Sequence, residues 1–567
     1  MSSFLCLQAH PLLGARSARA GGPLAAARTL LAIVVALCAA GCSKSQAASA
    51  SDDGPPTARA TRAETLIVAR AQGPNSLDIH GVGTNNPAYE ASWNVYDRLI
   101  GYGEKRSPDG SLMYDHTQLR PELAERWQVA DDAITFELRN DAVFHDGSPV
   151  TAEDVRWSYE RALAMGGFPK FQMGAGSIEK PEQFEVVGPL TFRLKLLRKD
   201  KFTLPDLSVP VAAVYNKKLA LQHATPQDPW AAEWLKMNTA ASGAFRVEKF
   251  EPGVSLSLVR NDAWTSGPPP RLKKVVVRVV PSASTRRAMI ERGDVDVSYD
   301  LPPRDAADLL ASKDVKIEGV PVENFMWFLD MNTRLPPFDD VRVREAIAAA
   351  VPYEALFSTT CFGRGKRLYG AASATPDSIE WPQAFPFHTD LERARALLAQ
   401  SSQPQGFASK LYYNLGQATW SEPIALLVQE NLAKIGIALT LEKVPAGNWR
   451  AEMGNKKMPF LVNDMGGWLN YPEYFFYWNY HGQNAVFNTM NYSDPEMDEL
   501  IQAARFAPDA ARYEASVKGF LKKAFDDVPR IPLYQANLDV ALRPDIDGYH
   551  FWFHRQIDYR QLGRKAG

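Results

Sequence analysis

The segment LRPELAERWQVADDAITFELRNDAVFHDGSPVTAEDVRWSYERAL, residues 119–163, switches from a two-residue to a helical period within one stretch. Residues 127–138 place two strand-like runs around Asp131-Asp132, the pattern of a hairpin. Asp146-Gly147 after Phe144 reads as a turn, because glycine reaches backbone conformations closed to other residues. Thr151 can then cap a helix whose third position is Asp154, so that each satisfies an orphan backbone donor of the other's neighbourhood. Trp157 and Leu163 fall on the apolar face of that helix. His145 beside Asp146 is no acid-base pair on this reading: neighbours on an extended segment point to opposite faces, and no nucleophile motif accompanies them.

Upstream, residues 64–70 (ETLIVAR) form an apolar, β-branched run expected to be a buried strand. Residues 81–87 read as loop, and residues 88–100 place Tyr89, Trp93, Tyr96 and Leu99 or Ile100 on the inner face of a helix. Downstream, strands are expected at 275–280 and 437–444, and helices at 284–292, 341–351, 391–399 and 423–435. Strands and helices alternate throughout with no fixed repeat, so the fold class is α/β.

Residues 119–163 closely resemble the signature region of the family 5 solute-binding proteins of ATP-binding-cassette importers, which include dipeptide-, oligopeptide- and nickel-binding members. The resemblance continues through SGAFRVEKFEPGVSLSLVRNDAW (242–264), PSASTRRAMIERGDVDV (281–297), PPFDDVRVREAIAAAV (336–351), TDLERARALLAQ (389–400), LVQENLAKIGIALTLEKV (427–444) and MNYSDPEMDELI (490–501). It implies a two-lobed periplasmic-binding-protein-like fold of the class II type, with an extra subdomain and a ligand cleft between lobes that close on the solute. The expected division is lobe 1 at 64–105, 229–324 and 532–567, a subdomain of lobe 1 at 106–228, and lobe 2 at 325–531. Chain crossovers are expected at 322–325 and 529–534.

For function, the informative stretch is MGGWLNYPEYFFYWNYHGQNAVFN, residues 465–488. It resembles the family loop whose tryptophan lines the cleft, which makes Trp468 the first candidate contact; Trp449, in AGNWRAEM, matches a second pocket aromatic. Asn470, Tyr471, Asn324 and Asn85 complete the candidate ligand-binding set. Peptide binders of the family hold the ligand's ammonium with an aspartate near position 470, and Asn470 brings no charge to that task. Tyr474, Phe475, Tyr477 and Trp478, at near-helical spacing, are assigned to the core. The function implied is capture of a peptide or peptide-like solute by a monomer that delivers it to permease subunits; a nickel chelate, haem, an oligosaccharide or an opine are the alternatives within the family. An exported hydrolase, the rival class, would need a nucleophile and base that no motif supplies.

The N-terminus sets the compartment. Arg16, Arg19 and Arg28 precede an apolar run of about 11 residues, 30–40, well short of the roughly 20 needed to span a bilayer, so residues 1–41 read as a signal peptide. Ala39-Ala40-Gly41-Cys42 resembles a lipobox, which implies lipidation at Cys42, a periplasmic or envelope location and anchoring to a membrane. Residues 42–63, rich in Ala, Ser, Asp, Pro and Thr, read as a flexible tether. With Cys6 and Cys38 in the signal and Cys42 lipidated, Cys361 is left alone and no internal disulfide is expected. Lys plus Arg number 63 and Asp plus Glu 65, a balance that offers nucleic acid no general attraction. The 9 histidines show no metal-ligand spacing beyond His550 and His554 in HFWFH, and neither metal nor cofactor is expected.

Overall fold

Residues 119–163 form two strands, a tight turn and a helix. A computed structural model describes residues 61–107, 110–321, 324–367, 385–483 and 487–565, and in it Ala124–Val129 pairs antiparallel with Ala133–Leu138, Trp127 lying opposite Phe136. Phe184–Gly188 and Thr191–Lys195 extend the hairpin into a four-stranded sheet. Gly147 sits at φ 85° and its N–H donates to the Phe144 carbonyl at 2.8 Å, closing the turn. At the start of helix Ala152–Met165, the Asp154 carboxylate accepts from the Thr151 N–H at 2.9 Å and its hydroxyl at 2.6 Å. Trp157 and Leu163 are buried, each contributing about 1.5–3 kcal/mol by the usual scale of side-chain burial. Arg161 of the same helix is buried against Asp78, with two bonds of 2.8 and 2.6 Å, and so ties this unit to the loop after the first strand. His145 bonds the Gly243 carbonyl through Nε2 at 3.0 Å, and burial pushes its imidazole down to about 4, so it stays neutral as a clamp between segments.

A large sheet organises the rest. One half holds Phe245–Glu251, Ser255–Arg260, Lys274–Val279, Thr65–Arg70 and Val297–Ser298; the other holds Ile437–Val444, Phe407–Asn414, Phe460–Gly466 and Phe325–Met331. Thr65–Arg70 runs parallel to its neighbours on both sides, which suits the apolar run from Leu66 to Ala69 at its centre. Strand Arg530–Leu542 joins the halves: its first residues pair with Phe325–Met331 and its last with Lys316–Pro321 and Val297–Ser298. Helix Ala418–Ala433 connects the parallel strands Phe407–Asn414 and Ile437–Val444 as a βαβ unit.

Two expected helices have different ends. The helix expected at 88–100 is Asn86–Val95, and Ile100–Arg106 is a strand. The helix stops because Asp97 and Arg98 are taken by distant partners: Asp97 accepts from Trp264 Nε1 at 3.0 Å, and Arg98 lies 3.0 Å from Glu122 and 3.8 Å over the Trp93 ring. The helix expected from 423 begins at Ala418, with Pro423 inside it. Trp420 in that added turn stacks on Trp327 at 5.9 Å, and this packing offsets the one bond that proline cannot make. Residues 1–41, most of the tether with Cys42, and part of the 322–325 crossover lie outside the described residues. Among the described residues, no helix is long and apolar enough to cross a membrane.

Candidate functional site

A cavity of about 280 Å³ is lined by residues drawn from both halves of the chain. Its first wall is aromatic. Tyr89, on helix Asn86–Val95, and Phe168, on helix Gly167–Ala175, meet the Trp468 indole edge-on, with centroids 5.2 and 5.0 Å away at 81° and 83°. Tyr89 therefore faces the cavity, where the helical pattern assigned it to the core. Trp468 follows strand Phe460–Gly466 through Gly467, where a Cβ would come within 2.8 Å of the Tyr474 ring. Asn324 fastens this loop: its side-chain amide donates to the Gly467 carbonyl, and the Gly467 N–H donates back to the Asn324 carbonyl at 2.9 Å.

Trp449 supplies a second wall from helix Ala446–Asn455, packed on Val444, Met453, Met458 and Leu461. The floor comes from Tyr474 and Trp478, four residues apart and thus on one face of helix Pro472–Asn479, while Phe475 turns into a separate core. Tyr474 and Trp478 are thus core and cavity wall together, which corrects their assignment to core alone. Gln172 is held at both ends: Tyr474 Oη donates to its Oε1 at 2.7 Å, and its Nε2 donates to Asp206 Oδ1 at 2.5 Å. Burial raises the Asp206 carboxyl well above the usual carboxylate range.

Three charged side chains line the cavity: Asp464, Arg450 and Arg555. Burial raises the Asp464 carboxyl, and the nearby positive charge of Arg555 opposes the shift. The Arg555 guanidinium lies 4.6 Å over the Phe325 ring, and that of Arg450 5.9 Å from the Phe487 ring. None of the three was selected from sequence. Asp464 sits four residues before Trp468, and a carboxylate so close to the predicted tryptophan was the available signal; Arg555 left none.

The remaining sequence candidates are occupied elsewhere. Asn85 caps the helix that carries Tyr89, accepting from Ala88 N–H at 3.2 Å and donating to the Gly73 carbonyl at 2.9 Å; its neighbour Asn86 lines the cavity. Asn470 lies outside the lining, its amide 3.4 Å from His116 Nδ1. Tyr471, also outside it, packs between Phe202 at 5.2 Å and His116 at 6.1 Å. His550 and His554 are buried on either side of Trp552, and among the described residues no group of three ligating side chains is placed to hold a metal ion. Cys361 is buried, its thiol pushed up to about 12.

Next to Gln172 and Tyr474, ion pairs join residues 175–201 to residues 473–505. Arg505 Nε donates to Asp200 Oδ2 at 3.1 Å, and Arg505 also donates to the Ala175 carbonyl at 2.5 Å. Lys201 pairs with the buried Glu473 carboxylate and donates to the Ala504 carbonyl at 3.3 Å. The side chains of Asp200 and Arg505 are 0% and 6% exposed, so this is an interior contact.

Comparison with known proteins agrees with this architecture. The chain is 27% identical over 504 residues to a probable D,D-dipeptide-binding periplasmic protein, DdpA, of Escherichia coli, covering 86% of this chain and 92% of the relative. It superposes on the Helicobacter pylori periplasmic binding protein DppA, solved with the peptide STSA, with a TM-score of 0.75 and 22% identity, over 88% of this chain and 98% of the other. A binding protein of A. tumefaciens R10, AgaA, solved with agropinic acid, gives a TM-score of 0.74 at 24% identity, over 89% and 99%. The fold is the two-lobed one of these proteins. The family model of the bacterial extracellular solute-binding proteins, family 5, matches residues 118–487, and the chain belongs to that family.

Proposed function

We propose that this protein is the substrate-binding component of an ATP-binding-cassette importer, capturing a peptide or peptide-like solute between two lobes and delivering it to membrane permease subunits. The observation that carries the reading is the meeting of Tyr89 and Phe168 with Trp468, residues far apart in sequence, around a cavity that also presents a carboxylate and two guanidiniums. Aromatic walls supply apolar area and the charges fix orientation, the usual economy of a small-ligand site. The relative named for a D,D-dipeptide and the neighbour solved with the peptide STSA support a peptide-like solute.

The lobes follow the boundaries given above, with Arg530–Leu542 as a hinge strand. Asp200–Arg505, Lys201–Glu473 and Gln172–Tyr474 then form across the interlobe boundary on closure, so that solute is enclosed when they form and released when they break. The protein acts by binding and leaves its solute chemically unchanged. It resides in the periplasm, tethered by lipid at Cys42, and works as a monomer.

The test is incubation of the purified protein with a mixed peptide library, followed by recovery and mass spectrometry of the retained fraction. Recovery of intact small peptides in equimolar amount is expected. Cleaved peptides whose formation disappears on mutation of a cavity residue would overturn the reading in favour of an enzyme.

A further inference from the structure

The buried arginines find their partners within the fold: Arg286 and Arg344 hold backbone carbonyls, and the others hold carboxylates. Arg70, Arg98, Arg161, Arg505, Arg530 and Arg560 are buried, and each holds a carboxylate. This is the expected state of a guanidinium withdrawn from water. Arg555 is half-buried and Arg450 exposed, both line the cavity, and among the described residues neither has a carboxylate within ion-pair distance. An unpaired arginine on an open surface is ordinary, so Arg450 alone would mean little. Arg555 differs. Its backbone sits at φ 59°, in the left-handed region that a side chain of this size rarely adopts, and is pinned there by its N–H donating to the Trp552 carbonyl at 2.8 Å and by the Tyr299 hydroxyl donating to its carbonyl. The pinned conformation and the Phe325 ring beneath it hold the guanidinium at the cavity.

Among the described residues, Asp464 is the single acidic side chain in the lining, so these residues present two positive charges against one negative. A space of about 280 Å³ lies at the lower end of ligand cavities, which run to roughly 300–1,000 Å³, and so a ligand of about dipeptide size would lie close to all three charges. The planar fork of a guanidinium matches a carboxylate with two parallel bonds, and Asn86, Asn414 and Gln417 add amide groups to the same lining.

We propose that the cavity selects small solutes carrying two carboxylates and one ammonium, with Arg555 and Arg450 receiving the carboxylates and Asp464 the ammonium. The assignment rests on the peptide-like reading above and narrows it to acidic members. The burial that raises the Asp464 carboxyl agrees with it, because a ligand ammonium would favour the charged form.

Ala-Glu and Ala-Gln have nearly the same shape and differ by one charge, so their relative affinity by calorimetry reads the selection directly. Ala-Glu is expected to bind at least tenfold more tightly. The double variant Arg450→Gln/Arg555→Gln is expected to bring the two within about threefold, a readout that stands on the ratio and so is independent of a general loss of affinity. Equal affinity in the parent, or a preference that survives intact in the double variant, overturns the proposal while leaving peptide capture standing. If neither dipeptide nor a mixed peptide library binds, the peptide-like reading falls and this assignment falls with it.

Discussion

Replacing Arg505 with methionine should weaken solute binding strongly while leaving the empty protein nearly as stable as before. The Asp200 carboxylate is fully buried, and Arg505 is its cationic partner among the described residues. Without the guanidinium, Asp200 keeps the Ser177 hydroxyl at 2.6 Å and the Phe202 N–H at 3.0 Å, so its charge is hydrogen-bonded but uncompensated. Removing one member of a buried pair costs about 3–5 kcal/mol, and the two surviving bonds place this case near the lower figure, about 3 kcal/mol. On the proposed lobe motion both groups regain water when the lobes part, so the cost falls on closure. It should appear as a rise of about 150-fold in Kd at 25 °C. Calorimetry with the co-purifying solute measures Kd, and thermal unfolding of the solute-free protein supplies the control. The companion variant Asp200→Asn, combined with Arg505→Met, should recover part of the loss through a coupling of about 1 kcal/mol or more. A Kd within threefold of the parent would refute the reasoning. So would an equal loss of stability in the solute-free protein, which would make the pair a permanent part of the fold.

Trp468→Ala should weaken binding by about 2 kcal/mol or more, the scale of a well-packed aromatic anchor, and should abolish most of the tryptophan fluorescence change on solute addition. Burial raises the Asp206 carboxyl well above the usual carboxylate range, so its folded pKa lies above its unfolded one. The native state binds that proton more tightly, and the stability so gained is lost as pH rises from about 4 through the raised value. Asp206→Asn cannot ionise and should therefore raise the melting temperature increasingly from pH 5 to pH 8, with no gain near pH 4, as followed by calorimetric unfolding. Cys42→Ser should be released from membranes without detergent, whereas the parent should need detergent and show acyl chains by intact mass.

Local physics made part of this structure legible in sequence. The hairpin read at 127–138, the Gly147 turn and the Thr151–Asp154 cap each depend on residues within a few positions of one another. What failed depended on distant partners: nothing local shows that Asp97 and Arg98 will be captured by Trp264 and Glu122 and end a helix at Val95. The cavity shows the same division. Trp468 and Trp449 come from recognisable motifs, but Asp464 and Arg555 meet only because strand Phe460–Gly466 and the segment after His550–Phe551 are folded together. Amides were hardest to assign. Asn85 and Asn324 have the chemistry of ligand contacts, yet their bonds go to backbone at a helix start and a loop, where they position Tyr89 and Trp468. Tyr474 and Trp478 were hidden because a helix face that walls a cavity has the same spacing as one that packs a core.

The central claim is that the protein encloses one small solute in the cavity walled by Trp468, Tyr89 and Phe168. Native mass spectrometry of protein taken from its own envelope tests this most directly. The account predicts a single non-covalent adduct of peptide-like mass, one per chain, that is lost on activation and strongly depleted in Trp468→Ala. Adduct-free protein that also shows no mass shift in a mixed peptide library, or an adduct retained undiminished in Trp468→Ala, would contradict it.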